Sequence, residues 1–172
     1  MSITRPSIGE TDPEHECRAA RGCSMQGIES LISRIDNTQL WKSEPARDEE
    51  IQEAEKALGV SFPPSYRAFL SLYGAMSVGD VTISGIVNNA PLDPGGGSVV
   101  FDTMTFRKDW RLPDHYVVIQ PNDEAPYCLD TQTSDAAGEM VVVCYELYSE
   151  HAGVIATSFL DWLDRFYVGT VT

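Results

Sequence analysis

The chain has 172 residues, is 42% apolar and carries a formal net charge of −14. This length and composition suit a single domain with a substantial core, and the acidity opposes both nucleic acid, which demands clustered lysine and arginine, and anionic lipid. The apolar runs are strand-sized, short of the ~20 residues that cross a bilayer, and Met1 to Gly9 lacks the charged and apolar parts of a secretory signal, so a cytoplasmic protein is expected.

Residues 1–26 mix Pro6, Gly9, Pro13 and Gly22 with four acids and three arginines. They read as a flexible tail ahead of a domain over 27–172, with Met25 as a second candidate start. His15, Cys17 and Cys23 match no zinc spacing. Ile28, Leu31, Ile32 and Ile35 recur at helical spacing and open the domain. A polar stretch from Asp36 to Arg47 follows. Ile51, Ala54 and Leu58 then mark a second helix, ended by Gly59. Pro63 and Pro64 turn the chain into a third helix with the stripe Tyr66, Phe69, Leu70 and Tyr73, closed by Gly74. The two helices form a hairpin that can lie across one end or face of a sheet.

Val81 to Val87 alternates as a strand interrupted near Gly85. Asn88 to Gly97 is a loop, and residues 98–109 form a helix with Val99, Thr103, Phe106 and Trp110 on one face. Tyr116 to Gln120, Pro126 to Asp130 and Met140 to Leu147 are three strands of an antiparallel meander. Ser158 and Asp161 cap a last helix carrying Phe159, Trp162, Leu163 and Phe166. Cys128 and Cys144 lie in strand-like segments and read as small buried apolar residues.

The charge is unevenly placed. Leu112 to Asp164 contains ten acids and no lysine or arginine. They are Asp114, Asp123, Glu124, Asp130, Asp135, Glu139, Glu146, Glu150, Asp161 and Asp164, and they interrupt apolar segments, so they decorate a fold. Such a field either serves solubility or steers a basic partner. Gly95 to Gly97 lacks the Lys-Ser/Thr of a phosphate loop, no serine sits in a nucleophile signature, and Asn122-Asp123-Glu124 does not continue into a calcium loop. Sequence alone does not bring His115 or His151 to Cys128 or Cys144 as a dyad, and chance pairs among the ten acids leave a hydrolase built on an acidic cleft as a third alternative. No catalytic residue, cofactor or metal is expected.

The ordered set Ile51-x-x-Ala54-Glu55-x-x-Leu58-Gly59-Val60-x-Phe62-Pro63-x-x-Tyr66-x-x-Phe69-Leu70-x-x-Tyr73-Gly74 resembles the helix-hairpin signature of the SUKH superfamily, the Smi/Knr-type domains. Leu112-Pro113, Tyr127 to Asp130, Val141 to Tyr145, and Ser158-Phe159-x-x-Trp162-Leu163 follow in the same order, so the resemblance spans about residues 27–168. It departs at Arg47, where a Ser or Thr cap is common, which moves the expected cap to Asp48 or Ser43, and the stretch before Gln26 has no counterpart. The resemblance implies an α+β single domain, with a mixed, mostly antiparallel sheet and flanking helices. Many bacterial members are immunity proteins of polymorphic toxin systems, whereas fungal relatives regulate cell-wall synthesis as interaction hubs.

Two readings follow. The first is a non-enzymatic immunity protein, monomeric before complex formation, that binds a basic toxin domain, often a nuclease, through Asp123, Glu124, Tyr127, Asp130, Tyr145, Glu146, Tyr148 and Glu150. The second is a regulatory interaction scaffold. Pro63, Tyr66, Phe69, Leu70 and Gly74 are expected to hold the hairpin to the sheet, and Glu55 and Asp130 either order loops or line a shared cleft.

Overall fold

The first apolar stripe becomes α1 (residues 24–32) in the computed structural model, which describes residues 24–35 and 38–169. The expected tail, with His15, Cys17 and Cys23, lies outside the described residues except for 24–26, which are helical. Met25 packs on the core, so the boundary anticipated at residue 27 falls inside α1. Within the polar stretch that follows, Leu40–Lys42 form β1, a strand too short to show a period.

Helix α2 (Asp48–Leu58) starts without a hydroxyl or carboxylate at its N-cap. Arg47 is the N-cap, and Glu50, three residues on, accepts the Arg47 N–H at 2.8 Å and the Arg47 Nε–H at 2.9 Å. An acid at the third position can thus serve the helix start alone, which corrects the expected cap at Asp48 or Ser43. The Ser43 hydroxyl instead accepts the Asn88 N–H. Burial pushes the Glu50 carboxyl up, but the Arg47 hydrogen bonds and positive charge outweigh it and leave the group below its ordinary range.

The two glycines that end α2 and α3 (Pro64–Tyr73) do different things. Gly59 is left-handed, at φ 71° and ψ 29°, the common helix stop. Gly74, at φ 63° and ψ −73°, is the centre of a γ-turn closed by the Ala75 N–H on Tyr73 O at 2.7 Å. This sharp reversal feeds β2 (Met76–Val78) straight out of the helix.

The sheet divides in two. β1, β2 and β3 (Val81–Ile83) form one antiparallel sheet, and β4 (Tyr116–Gln120), β5 (Tyr127–Asp130), β6 (Val142–Glu146) and β7 (His151–Ala156) form an antiparallel meander. They meet where the Ser84 N–H donates to Ile119 O at 2.8 Å. The expected break near Gly85 is real, since β3 stops at Ile83 and Gly85 then bridges Ser98 in parallel. β7 is a fourth strand beyond the three expected; Gly153 and two alanines mask its alternation.

Helix α4 (Val99–Trp110) is capped by the Ser98 hydroxyl, which accepts the Phe101 N–H. On one face of the meander, Val117, Ile119, Leu129 and Val142 join the main core with the helical hairpin and α5 (Phe159–Trp162). On the other, Tyr116, Val118, Cys128, Val143 and Tyr145 pack with Phe106, Leu112 and Leu147 in a second, smaller core. Tyr66, Phe69 and Leu70 are fully buried, and the Tyr66 ring touches Phe62 and Phe159 at centroid distances of 5.1 and 5.0 Å.

After α5 the chain widens into a π-helix, Leu163–Val168. The expected capping is present, with the Asp161 N–H donating to the Ser158 hydroxyl. The wider turn shifts the buried stripe by one residue. Tyr167, rather than Phe166, becomes fully buried and donates its hydroxyl to Val81 O at 3.0 Å.

Candidate functional site

Antiparallel connection places the β4–β5 and β6–β7 turns at the same end of the meander, and backbone bonds tie them together. The Leu147 N–H donates to Glu124 O, and the Tyr145 N–H donates to Pro126 O, both at 3.0 Å. The Asn122 side chain accepts the N–H groups of Glu124 and Ala125, folding the first turn on itself. The Cys144 thiol points to Ala125 O at 3.9 Å. In the second turn Glu150 takes a left-handed φ of 52°, and Glu146 accepts the Ser149 hydroxyl at 2.8 Å.

This end holds five of the expected site residues. Asp123, Glu124, Glu146, Tyr148 and Glu150 are all exposed, and Tyr148 is 78% exposed at the tip of its turn. Its ring makes a T-shaped contact with Trp110, at a centroid distance of 5.6 Å and an interplanar angle of 81°. Glu124, Ala125, Glu146, Tyr148 and Ser149 line an open groove of about 470 Å³. Among the described residues, no lysine or arginine lies in an ion pair with Asp123, Glu124, Glu146 or Glu150.

The other three expected residues lie apart from this groove. Tyr127 is half-buried, its ring against Trp162 and Phe166 on the main-core face. Tyr145 is 4% exposed, packed on Tyr116 at 5.4 Å in the smaller core. Asp130 sits at the opposite end of β5, paired with Tyr116, and its carboxylate accepts the Gln132 N–H. Asp130 therefore orders a loop. So does Glu55, which accepts the Phe62 N–H at 2.7 Å and pairs with Arg67 at 2.6 Å across the hairpin corner.

The ten acids of the arginine-free stretch do not converge on one patch. Asp114, Asp130, Asp135 and Glu139 belong to the far end of the meander, because β4 begins and β5 ends there. Asp161 pairs with Arg165, and Asp164 with Arg34, each at 2.8 Å. Glu139 is structural: it accepts the Ser65 N–H at 2.9 Å and the Ser65 hydroxyl at 2.5 Å, capping α3 from 74 residues away. Only Asp123, Glu124, Glu146 and Glu150 share the exposed end.

Residue spacing alone did not single out Trp110, since it falls on the buried face of α4 by periodicity. It is nevertheless 37% exposed, because the helix stops at Arg111, the left-handed C-cap. A tryptophan as last helical residue among Lys108, Asp109 and Arg111 was the available signal.

The chemistry of the remaining candidates is quiet. Burial pushes both cysteine thiols up, away from the thiolate that redox or nucleophilic chemistry uses. His115 lies on the Tyr116 ring, and His151 faces Glu146 across the strand pair. Among the described residues there is no cluster of three or more His, Cys, Asp or Glu side chains able to hold a metal ion, and no helix long and apolar enough to cross a membrane. In the Gly95–Gly97 segment the Gly95 N–H is taken by Asp93 and the Gly97 N–H by the buried Asp102 carboxylate at 3.1 Å.

Two comparisons bear on this arrangement. The family described as "SMI1-KNR4 cell-wall" (SUKH_5) matches residues 26–168. A solved structure described as a protein from Pseudomonas syringae pv. tomato superposes with a TM-score of 0.61 at 15% identity, covering 84% of this chain and 98% of that one. At that identity the likeness is one of fold.

Proposed function

The chain belongs to the SUKH superfamily, in its SMI1-KNR4 family, and from that membership we propose that it is a cytoplasmic, non-enzymatic immunity protein that binds and neutralises a cognate toxin domain. Membership supports a domain of the immunity or Smi1/Knr4-like type, whose members work in general by binding protein. The observation that carries the finer reading is the acidic end of the meander, where Asp123, Glu124, Glu146 and Glu150, without lysine or arginine partners among the described residues, share two adjoining turns with the exposed Tyr148. Four carboxylates in no ion pair with lysine or arginine among the described residues attract a basic surface and raise its encounter rate, and an exposed aromatic in the same turns is the kind of side chain that anchors an interface. Nucleases are basic where they hold nucleic acid, so a nuclease-type toxin domain fits this surface best. The free protein is a monomer in this reading.

Affinity capture from the native host at low and then high salt tests the proposal. A basic, toxin-like protein is expected at low salt and is weakened at high salt, because exposed charges are screened over roughly 10 Å at 0.1 M. Recovery of no such protein in either condition would refute it. The family's description as cell-wall related favours a second reading, a regulatory scaffold with several partners. Capture of several unrelated proteins, with no toxin gene beside the coding sequence, would support the scaffold instead.

A further inference from the structure

We propose that the groove between the β4–β5 and β6–β7 turns is a receptor for a single arginine side chain protruding from the protein partner, stacked on Tyr148 and held by Glu124 and Glu146. This rests on the reading above and names what the surface recognises. The groove is lined by Ala125 and Tyr148, which offer apolar surface, and by Glu124, Glu146 and Ser149, which offer oxygen acceptors. Its volume of about 470 Å³ lies within the range of sites that enclose small ligands.

Charge complementarity selects the occupant. Both groove carboxylates lack a lysine or arginine partner among the described residues, and Glu146 spends only one oxygen, on the Ser149 hydroxyl. A guanidinium can stack its plane on an aromatic ring while its N–H fork reaches nearby carboxylates, which a compact ammonium cannot do in the same way. The groove is also preorganised. The Leu147 N–H bond to Glu124 O fixes one turn against the other, the Asn122 side chain holds Glu124 and Ala125, and the T-shaped contact with Trp110 restrains the tyrosine ring. Less ordering entropy is therefore lost when a side chain enters.

The test uses the full chain, labelled with ¹⁵N, and three probes: acetyl-Gly-Arg-Gly-amide and its lysine and citrulline counterparts. At low salt the arginine peptide is expected to shift the amides of Glu124, Ala125 and residues 146–150 together with the Trp110 indole. The lysine peptide binds more weakly and the neutral citrulline peptide does not bind. Tyr148→Ala should weaken the arginine peptide about two- to fivefold, the scale of an exposed cation–π contact, and the double variant Glu124→Gln/Glu146→Gln should abolish binding. Trp41→Ala, an exposed aromatic on the other sheet, should change nothing. Equal binding of the three peptides, shifts spread alike over Asp80 and Asp135, or an unchanged affinity in folded Tyr148→Ala protein would overturn the inference. The two proposals fail separately: a groove that binds arginine in a host without a toxin removes the immunity role alone, and a captured toxin indifferent to Tyr148→Ala removes the arginine receptor alone.

Discussion

Glu139 and Asp102 show how an acid in an acidic protein can be structural. The Glu139 carboxylate takes both the N–H and the hydroxyl of Ser65, and Ser65 is 1% exposed, so neither donor has water to fall back on. Glu139→Ala should destabilise the fold by about 1–3 kcal/mol, the cost of leaving buried donors unmet. Glu139→Gln, which keeps an acceptor oxygen, should lose less, and urea unfolding of the two variants would show the order. Asp102, 7% exposed, accepts the Ser84 hydroxyl at 2.6 Å and the Gly97 N–H. It ties the segment after β3, the glycine loop and α4 together, and burial holds its carboxyl above the ordinary value of 3.8 despite those bonds.

Among the described glycines, Gly85 has the least room, where the α3 end crosses the segment after β3. A Cβ on Gly85 would sit 1.9 Å from Gly74 O and 2.9 Å from Leu70 Cδ2, and the Ile86 N–H donates to that same carbonyl. Gly85→Ala must therefore push backbone apart, and a loss above about 3 kcal/mol or failure to fold is expected, in the range of overpacked core sites. Gly59→Ala meets nothing within 4 Å and carries only the left-handed backbone penalty of about 1–2 kcal/mol. Comparing the two by thermal unfolding separates steric from conformational need for glycine. The π-helix is a second element-level device. By widening one turn it brings Tyr167 beneath Trp162, at a ring distance of 5.9 Å, and joins the end of the described chain to β3 through the tyrosine hydroxyl.

At the scale of the whole molecule, pH acts through buried and half-buried carboxyls shifted in opposite senses. Asp102 and Glu139 are raised, chiefly by burial. Their contribution to stability is fully present below the unfolded values of 3.8 and 4.5 and is lost as pH rises through the higher folded values. Glu50 and Asp161 are lowered, because hydrogen bonds and a neighbouring arginine outweigh burial. Their contribution is present above the unfolded values and is lost as pH falls through the folded ones. Above the unfolded values of 3.8 and 4.5 only the raised pair still acts, so stability should decline as pH rises through their folded values, helped by self-repulsion of the net charge of −14. In Asp102→Asn this decline should be shallower, measured as the urea midpoint across pH 4 to 8; a parallel decline in both proteins would exclude Asp102 as a cause.

Local patterns carried much of this fold. The stripes of α1 to α3, the glycine stops at Gly59 and Gly74, the Ser158–Asp161 cap and the apolar strands β4 to β6 are each set by neighbours within one or two turns of chain, where period and capping chemistry are explicit. The ordered motifs were enough to point to the family. What eluded the sequence depends on contacts between distant segments. Three-residue strands β1 and β2 exist only because they pair, the π-helical shift to Tyr167 follows from what it packs against, and Glu139 finds Ser65 across 74 residues. The binding surface divides in the same way. The acids were visible as a run in sequence, but strand direction sent half of the meander's share to the wrong end, and burial removed Tyr145. Only the three-dimensional path of the chain decided which carboxylates share the turn end with Tyr148, because charge adds up through space and not along the backbone.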